Sequence, residues 1–176
     1  MKPEIAHALT KATGIDFSRA EARPVVGGCI HRALDVRAGG SRYFLKHNAP
    51  DALPMFEAEA EGLAALAACE AFRVPRALAW GATDGDAFLL LEYLELRPIA
   101  SAEDGRRFAR ALVVLHREAH GKTGQRFGWP RNNFIGTNPQ TNGEDESWAH
   151  FFATRRLAPQ LRMARSRGYG GALGNM

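Results

Sequence analysis

The chain begins with a short amphipathic stretch at residues 4–12, whose pattern of hydrophobic and polar residues predicts a helix. Further on, apolar side chains recur at every second position, which is the period of a β-strand. Gly-Gly pairs at residues 27–28 and 39–40 interrupt this alternation, and such pairs are typical of turns. We therefore expect residues 22–47 to form three consecutive antiparallel strands.

A change of period follows these predicted strands. Residues 55–69 are rich in Ala, Glu and Leu and follow Pro54, a residue that the first turn of a helix tolerates well. Two more strand-like runs, residues 78–81 and 87–93, flank the Asp84-Gly85 pair, which favours a tight hairpin. The predicted order is three strands, one helix and two strands, which indicates an α+β fold with a five-stranded antiparallel sheet and one packed helix.

The second half of the chain is predicted to be mainly helical. Ser101 and Asp104 have the spacing of a capping box, which marks the start of a helix. Residues 121–144 are rich in Gly and Asn and predict a long loop. A terminal helix is expected from about Ser147, with a bend at Pro159.

The pattern breaks at residues 96–98, which we interpret as a linker. A chain of 176 residues, 45% of them hydrophobic, can bury one sizeable core but not two large ones. We expect a sheet-containing domain at residues 1–95 and the first helices of an incomplete helical domain at residues 96–176, with a hinge at about residues 92–98.

The formal net charge of +4 is concentrated at the end of the chain. Five of the 23 basic residues follow Glu146 and none of the 19 acidic residues does, so the preceding residues are close to neutral. We interpret the basic segment as a solvated helix face and expect no nucleic-acid partner. No apolar stretch is long enough to span a bilayer, and the two cysteines suit a reducing compartment. These features predict a cytoplasmic protein with no membrane partner.

Three features of the predicted strands and helix carry candidate chemistry. Gly27 and Gly28 lie in a turn between two strands, where backbone N–H groups can face a phosphate. Lys46 ends the third strand and faces away from Tyr43 and Leu45 if those two residues enter the core. Glu59 lies on the following helix, where a carboxylate can pair with Lys46. This combination is typical of the nucleotide-binding lobe of a kinase, in which the Lys holds the α- and β-phosphates of ATP and the Glu orients the Lys.

The sequence resembles the fructosamine/ketosamine-3-kinase family, a branch of the aminoglycoside phosphotransferase-like kinases. The resemblance rests on motifs distributed over nearly the whole chain, which are residues 27–30, 43–46, 55–59, 74–75, 115–116, 127–130, 133–136, 139–142 and 155–161. It implies a protein-kinase-like fold, ATP and Mg²⁺ as cofactors, and phosphorylation of a sugar hydroxyl on a glycated small molecule or protein.

The resemblance also implies roles for individual residues. The nucleotide site would comprise the following residues: Gly27, Gly28, Cys29, Lys46, Glu59 and, at the hinge, Glu92, Tyr93 and Leu94. The sugar site would be approached by a loop containing Asn133, Pro139, Gln140 and Asn142, although turn chemistry alone also explains such residues.

One family motif has no counterpart in this sequence. The family uses a His-Gly-Asp catalytic loop, and no Asp follows Asp145 here. The sequence therefore predicts a chain cut before its catalytic Asp, with no catalytic residue or metal ligand present and no turnover of its own. A non-catalytic nucleotide- or partner-binding relic and an aminoglycoside- or choline-type kinase fragment are the alternatives.

Two smaller features have competing explanations. His116 and His120 have the spacing of metal ligands on a helix, but no third ligand accompanies them, so we predict no metal site. Cys29 lies beside two glycines in an anion-binding turn, where a thiol can become reactive and link a homodimer. The alternative for Cys29 is a small residue that only packs.

Overall fold

A computed structural model describes residues 1–122, 126–169 and 171. The chain divides into two compact units, Met1–Leu115 and His116–Met176. This division by compactness leaves the predicted lobe boundary and its hinge at residues 92–98 as predictions.

The first unit contains a five-stranded antiparallel sheet and the helices around it. Its elements in chain order are α1 (Pro3–Thr13), β1 (Glu21–Val25), β2 (Arg32–Ala38), β3 (Ser41–Asn48), a 3₁₀ turn (Pro50–Ala52), α2 (Leu53–Ala67), β4 (Ala77–Ala82), β5 (Ala87–Glu92) and α3 (Ala102–Lys122), which continues into the second unit. The strand order is β1-β2-β3-β5-β4. The predicted α+β class and five-stranded sheet are confirmed, with each predicted element within a few residues of its observed bounds.

The two faces of the sheet pack against different helices. Ile5 and Leu9 of α1 are fully buried against one face, in a cluster with Val36 and Leu45. Phe56 of α2 is fully buried on the other face. The sheet therefore has two packed helices, whereas only α2 was predicted to pack on it. The sequence shows the apolar stripe of α1 but not the surface against which that stripe packs.

A buried polar cluster joins α1 to the sheet. Asp86, which is 5% exposed, accepts a hydrogen bond from Lys2 Nζ, and its Oδ1 lies 3.2 Å from His47 Nδ1. Burial alone would raise the pKa of Asp86, but the hydrogen bonds with Lys2 and His47 outweigh burial and lower it. The ionised Asp86 carboxylate thus fixes the N-terminus of α1.

The predicted cap of α3 is present. Ser101 Oγ accepts a hydrogen bond from the Asp104 backbone N–H at 3.1 Å and donates to the Asp104 carboxylate at 2.6 Å. No helix among the described residues combines the length and the apolar composition needed to cross a membrane.

The second unit contains short strands as well as helix. Its elements are β6 (Phe127–Trp129), β7 (Asn133–Ile135), β8 (Asn138–Gln140), β9 (Gly143–Asp145), α4 (Trp148–Phe151), a π-helix (Phe152–Leu157) and α5 (Ala158–Ser166). β6 pairs with β9 and β7 pairs with β8, both antiparallel. The prediction of a loop at residues 121–144 therefore missed these four strands, because three-residue strands are too short to show a period of two.

The terminal helix begins where it was expected but changes its winding. Ser147 caps α4 by accepting a hydrogen bond from the His150 backbone N–H. The wider π turns end at Leu157, two residues before Pro159. Pro159 is in the first turn of α5 and has no N–H to donate to an upstream carbonyl. The predicted irregularity at Pro159 thus takes the form of a π-helix on its N-terminal side.

Candidate functional site

An ion pair between the sheet and α2 forms the centre of the candidate site. Tyr43 and Leu45 are buried, so strand alternation directs Lys46 to the opposite face, where α2 packs. Lys46 Nζ lies 2.6 Å from Glu59 Oε1. The structure thus brings together the two residues that sequence reasoning paired, and their side chains remain 27% and 29% exposed.

The glycine turn connects β1 to β2, and its residues line the same cleft as Lys46. Gly27 has a φ of 136°, a conformation that side-chain-bearing residues rarely adopt. A Cβ on Gly28 would lie 3.3 Å from the His31 carbonyl oxygen, which is a tight contact. Residues 26–30 are exposed, and the two glycines among them leave their backbone N–H groups uncovered by a side chain of their own.

A cleft of about 450 Å³ separates this loop from the sheet. It is lined by the glycine loop from Val25 to His31 and, on the sheet, by Ala33, Phe44 and Lys46. Apolar walls with one cation and exposed loop backbone suit a ligand that combines a flat apolar group with an anion.

The predicted hinge follows β5. The Glu92 backbone N–H donates to the Arg76 carbonyl at 2.9 Å, and its carboxylate accepts from Arg73 Nη2 at 2.8 Å. The hydrogen bond with Arg73 lowers the pKa of Glu92. Tyr93 lies beneath the Arg42 guanidinium, whose carbon is 3.7 Å from the ring centroid, and Leu94 is half-buried. Contacts on both sides of the strand end therefore hold the segment that the sequence predicts as a hinge, and its role as a hinge stays a prediction.

Sequence reasoning gave no role to His31, which lines the cleft. Its ring centroid lies 4.6 Å from that of Phe56, and its Nδ1 lies 3.0 Å from Asn48 Nδ2. Burial and the positive charge of Lys46 lower the pKa of His31, while Glu59 opposes them. No local motif signals this residue, because its partners lie on β3 and α2.

The predicted sugar-site residues lie in the second unit. Asn142 is 6% exposed, its Nδ2 donates to Arg131 O and Asn133 Oδ1, and its Oδ1 accepts from Arg156 Nη2 at 2.5 Å. The Asn142 side chain therefore already makes three hydrogen bonds, two within the loop and one with Arg156 of the π-helix. Gln140 Nε2 donates to Asn133 Oδ1 at 2.9 Å.

The fourth of these residues, Pro139, is exposed. Contact between these four residues and a sugar stays a prediction.

Cys29 is exposed and not in a disulfide. Within the described part of the chain, no group of three or more His, Cys, Asp and Glu residues could hold a metal ion. The His120 side chain lies outside the described residues.

Comparison with known proteins gives consistent matches. A family model described as fructosamine kinase matches residues 1–176. A Synechocystis protein named as a probable ketoamine kinase is 40% identical over 93% of this chain and 54% of its own length. An Arabidopsis thaliana protein-ribulosamine 3-kinase is 33% identical over 83% of this chain and 44% of its own length.

A solved structure from Haemophilus somnus, named as a candidate fructosamine-3-kinase, matches with a TM-score of 0.77. It is 25% identical, and the match covers 94% of this chain and 55% of that one. The chain thus spans about half the length of the relatives it matches. The structural match agrees with the expected kinase-like fold.

Proposed function

Because this chain belongs to the fructosamine kinase family, we propose that the cleft under the glycine loop binds ATP for phosphoryl transfer to a sugar hydroxyl. The observation that carries the proposal is the 2.6 Å pair between Lys46 and Glu59 beside that loop. A Lys held by a carboxylate is a fixed cation for the α- and β-phosphates, and the loop N–H groups supply further donors.

The adenine end of ATP would lie toward the hinge. The Glu92 N–H is already donated to Arg76, so adenine would be recognised by the Glu92 carbonyl and the backbone of Tyr93 and Leu94. Phe44 and Ala33 in the cleft supply apolar surface for a flat base.

The reaction we propose transfers the γ-phosphoryl group of ATP to the oxygen of a sugar hydroxyl on a glycated amine. ADP leaves, and the hydroxyl proton passes to a base. Names of relatives as ketoamine and ribulosamine kinases support this substrate class. Mg²⁺ would neutralise the phosphates, with ligands outside the residues assigned here. Of the candidate sugar contacts, Pro139 is exposed, whereas Asn142 is buried and donates a hydrogen bond to Asn133.

The 176 residues contain no His-Gly-Asp sequence to orient the acceptor hydroxyl. We therefore propose that these residues bind nucleotide without measurable turnover. This feature also favours the second candidate, a non-catalytic nucleotide-binding protein, whose cleft would serve ATP alone.

Calorimetric titration with MgATP, followed by an ADP-release assay with fructosyl-lysine and with unmodified lysine, tests these statements. We expect ATP binding and no ADP release above background with either acceptor. Absence of ATP binding would overturn the nucleotide site, and ADP release that requires fructosyl-lysine would overturn the proposed lack of turnover. In a calorimetric titration with each acceptor, tighter binding of fructosyl-lysine than of lysine would favour the sugar-kinase function over a non-catalytic nucleotide-binding protein.

A further inference from the structure

The side chain of Asn48 connects the end of the glycine loop to the end of β3. Its Nδ2 donates to the Ile30 carbonyl at 2.9 Å and lies 3.0 Å from His31 Nδ1, and its Oδ1 accepts from the Ala49 N–H at 2.9 Å. These contacts fix which end of the amide is nitrogen, so an N–H of Asn48 faces His31. Nδ1 of His31 must then accept, which places the imidazole proton on Nε2.

The His31 ring is also held from the side of α2. It lies against Phe56, with ring centroids 4.6 Å apart, and Phe56 is fully buried. Phe56 is one turn before Glu59 on the same helix. The lowered pKa of His31 favours the neutral ring that this arrangement needs.

The rest of the loop has little packing of its own. Residues 26–30 are exposed, and two of them are glycines, which are free to adopt many backbone conformations. An anchor at the C-terminal end of the loop therefore determines where its N–H groups lie relative to Lys46.

We propose that His31 and Asn48 are positioning residues that hold the glycine loop over Lys46, so that its N–H groups meet the phosphates of the nucleotide. This inference rests on the proposed ATP site. A loop ordered before binding loses less conformational freedom when the ligand arrives, so the pair raises affinity for phosphate by holding the loop in place.

Two variants test the pair. His31→Phe keeps the ring against Phe56 but removes the acceptor, and Asn48→Ala removes the donor. Each should weaken binding of inorganic tripolyphosphate and of ATP by about two- to tenfold, the equivalent of one neutral hydrogen bond. The double variant should bind no more weakly than Asn48→Ala alone, because Asn48→Ala already removes the contact with His31 that His31→Phe removes. His7→Phe, an exposed histidine of α1, is the matched control.

Two further measurements separate positioning from a general loss of structure. Adenosine affinity should not change in either variant, since the loop acts on phosphates. In the wild-type chain, the nitrogen chemical shifts of His31 should show an unprotonated Nδ1 at neutral pH, and amide exchange at residues 27–31 should be faster in both variants.

The outcomes distinguish the inference from the function beneath it. A wild-type chain that binds neither ATP nor tripolyphosphate overturns both. A wild-type chain that binds them, with variants that bind tripolyphosphate equally well, overturns the role of His31 and Asn48 alone. A protonated Nδ1, or an equal loss of adenosine affinity, also contradicts the positioning role.

Discussion

Replacing Lys46 by Met removes the cation that the sheet contributes to the cleft. A hydrogen bond to a charged partner contributes about 1.5–3 kcal/mol, so the loss of Lys46 should weaken ATP binding by about 10- to 150-fold. The effect on folding should be smaller. Both side chains of the pair are more than a quarter exposed, and a broken pair at such a site costs about 1–2 kcal/mol of unfolding free energy.

Glu59→Gln gives a sharper test, because two effects predict opposite signs. Electrostatics alone predicts tighter ATP binding, since a negative charge beside the phosphates is lost. Positioning predicts weaker binding, because Lys46 loses the carboxylate 2.6 Å away that directs its ammonium into the cleft. We expect positioning to dominate and affinity to fall by about two- to tenfold. In the Lys46→Met background the positioning effect is absent, so Glu59→Gln should no longer weaken ATP binding, and any remaining effect should be the slight tightening that follows from the lost negative charge.

Isothermal titration with MgATP measures all four corners of this cycle, with urea unfolding to show that each variant is folded. Glu61→Gln, on an exposed position of the same helix, and Lys11→Met, on α1, are the matched controls. Tighter ATP binding by Glu59→Gln, or additive effects in the double variant, would refute the argument that the pair acts as one unit.

Three other changes follow from the structure. Gly27→Ala should weaken ATP binding and lower the unfolding free energy by about 1–3 kcal/mol, because φ is 136° there; Gly85→Ala, which has open space for a Cβ, should do neither in the same titration and urea series. Because the pKa of Asp86 is lowered, ionised Asp86 adds to the unfolding free energy at every pH above the ordinary carboxyl pKa. That contribution is lost as the pH falls through the lowered pKa of Asp86. Asp86→Asn should therefore cost about 1–3 kcal/mol at pH 7 and lose less stability than wild type between pH 7 and pH 3 in urea titrations, and parallel curves would contradict this. Cys29→Ala should abolish a reductant-sensitive dimer on non-reducing gels, and identical species in both proteins would disprove the disulfide link.

The geometry at Lys46 could be predicted because one strong pattern determines it. Tyr43 and Leu45 must be buried, and a strand has only two faces, so Lys46 has to point toward α2. On α2, Glu59 is half-buried near fully buried Phe56, whereas Glu61 is exposed. Glu57 is half-buried as well, so burial excludes only Glu61, and the 2.6 Å contact with Lys46 identifies Glu59 as the partner.

Other features depend on pairs that no local pattern connects. Asp86 meets Lys2 across most of the first unit, and His31 meets Asn48 across an intervening hairpin. The sequence shows each residue as an ordinary polar position. Only the register of β2 against β3, with Arg32 opposite His47, brings the end of the glycine loop beside Asn48.

The register of the central strands also determines where Lys46 lies in the candidate site. The register of β2 on β3 places Ala33 opposite Lys46, and β3 on β5 places Lys46 opposite Leu89, which packs against α2. A one-residue slip of β3 would move Lys46 to the α1 face and expose Leu45 to α2, losing both the ion pair and a core residue. The hydrophobic core and the candidate site are therefore specified by the same alternation. A substitution that weakens packing at Leu45 should reduce ATP affinity even though Leu45 does not line the cleft.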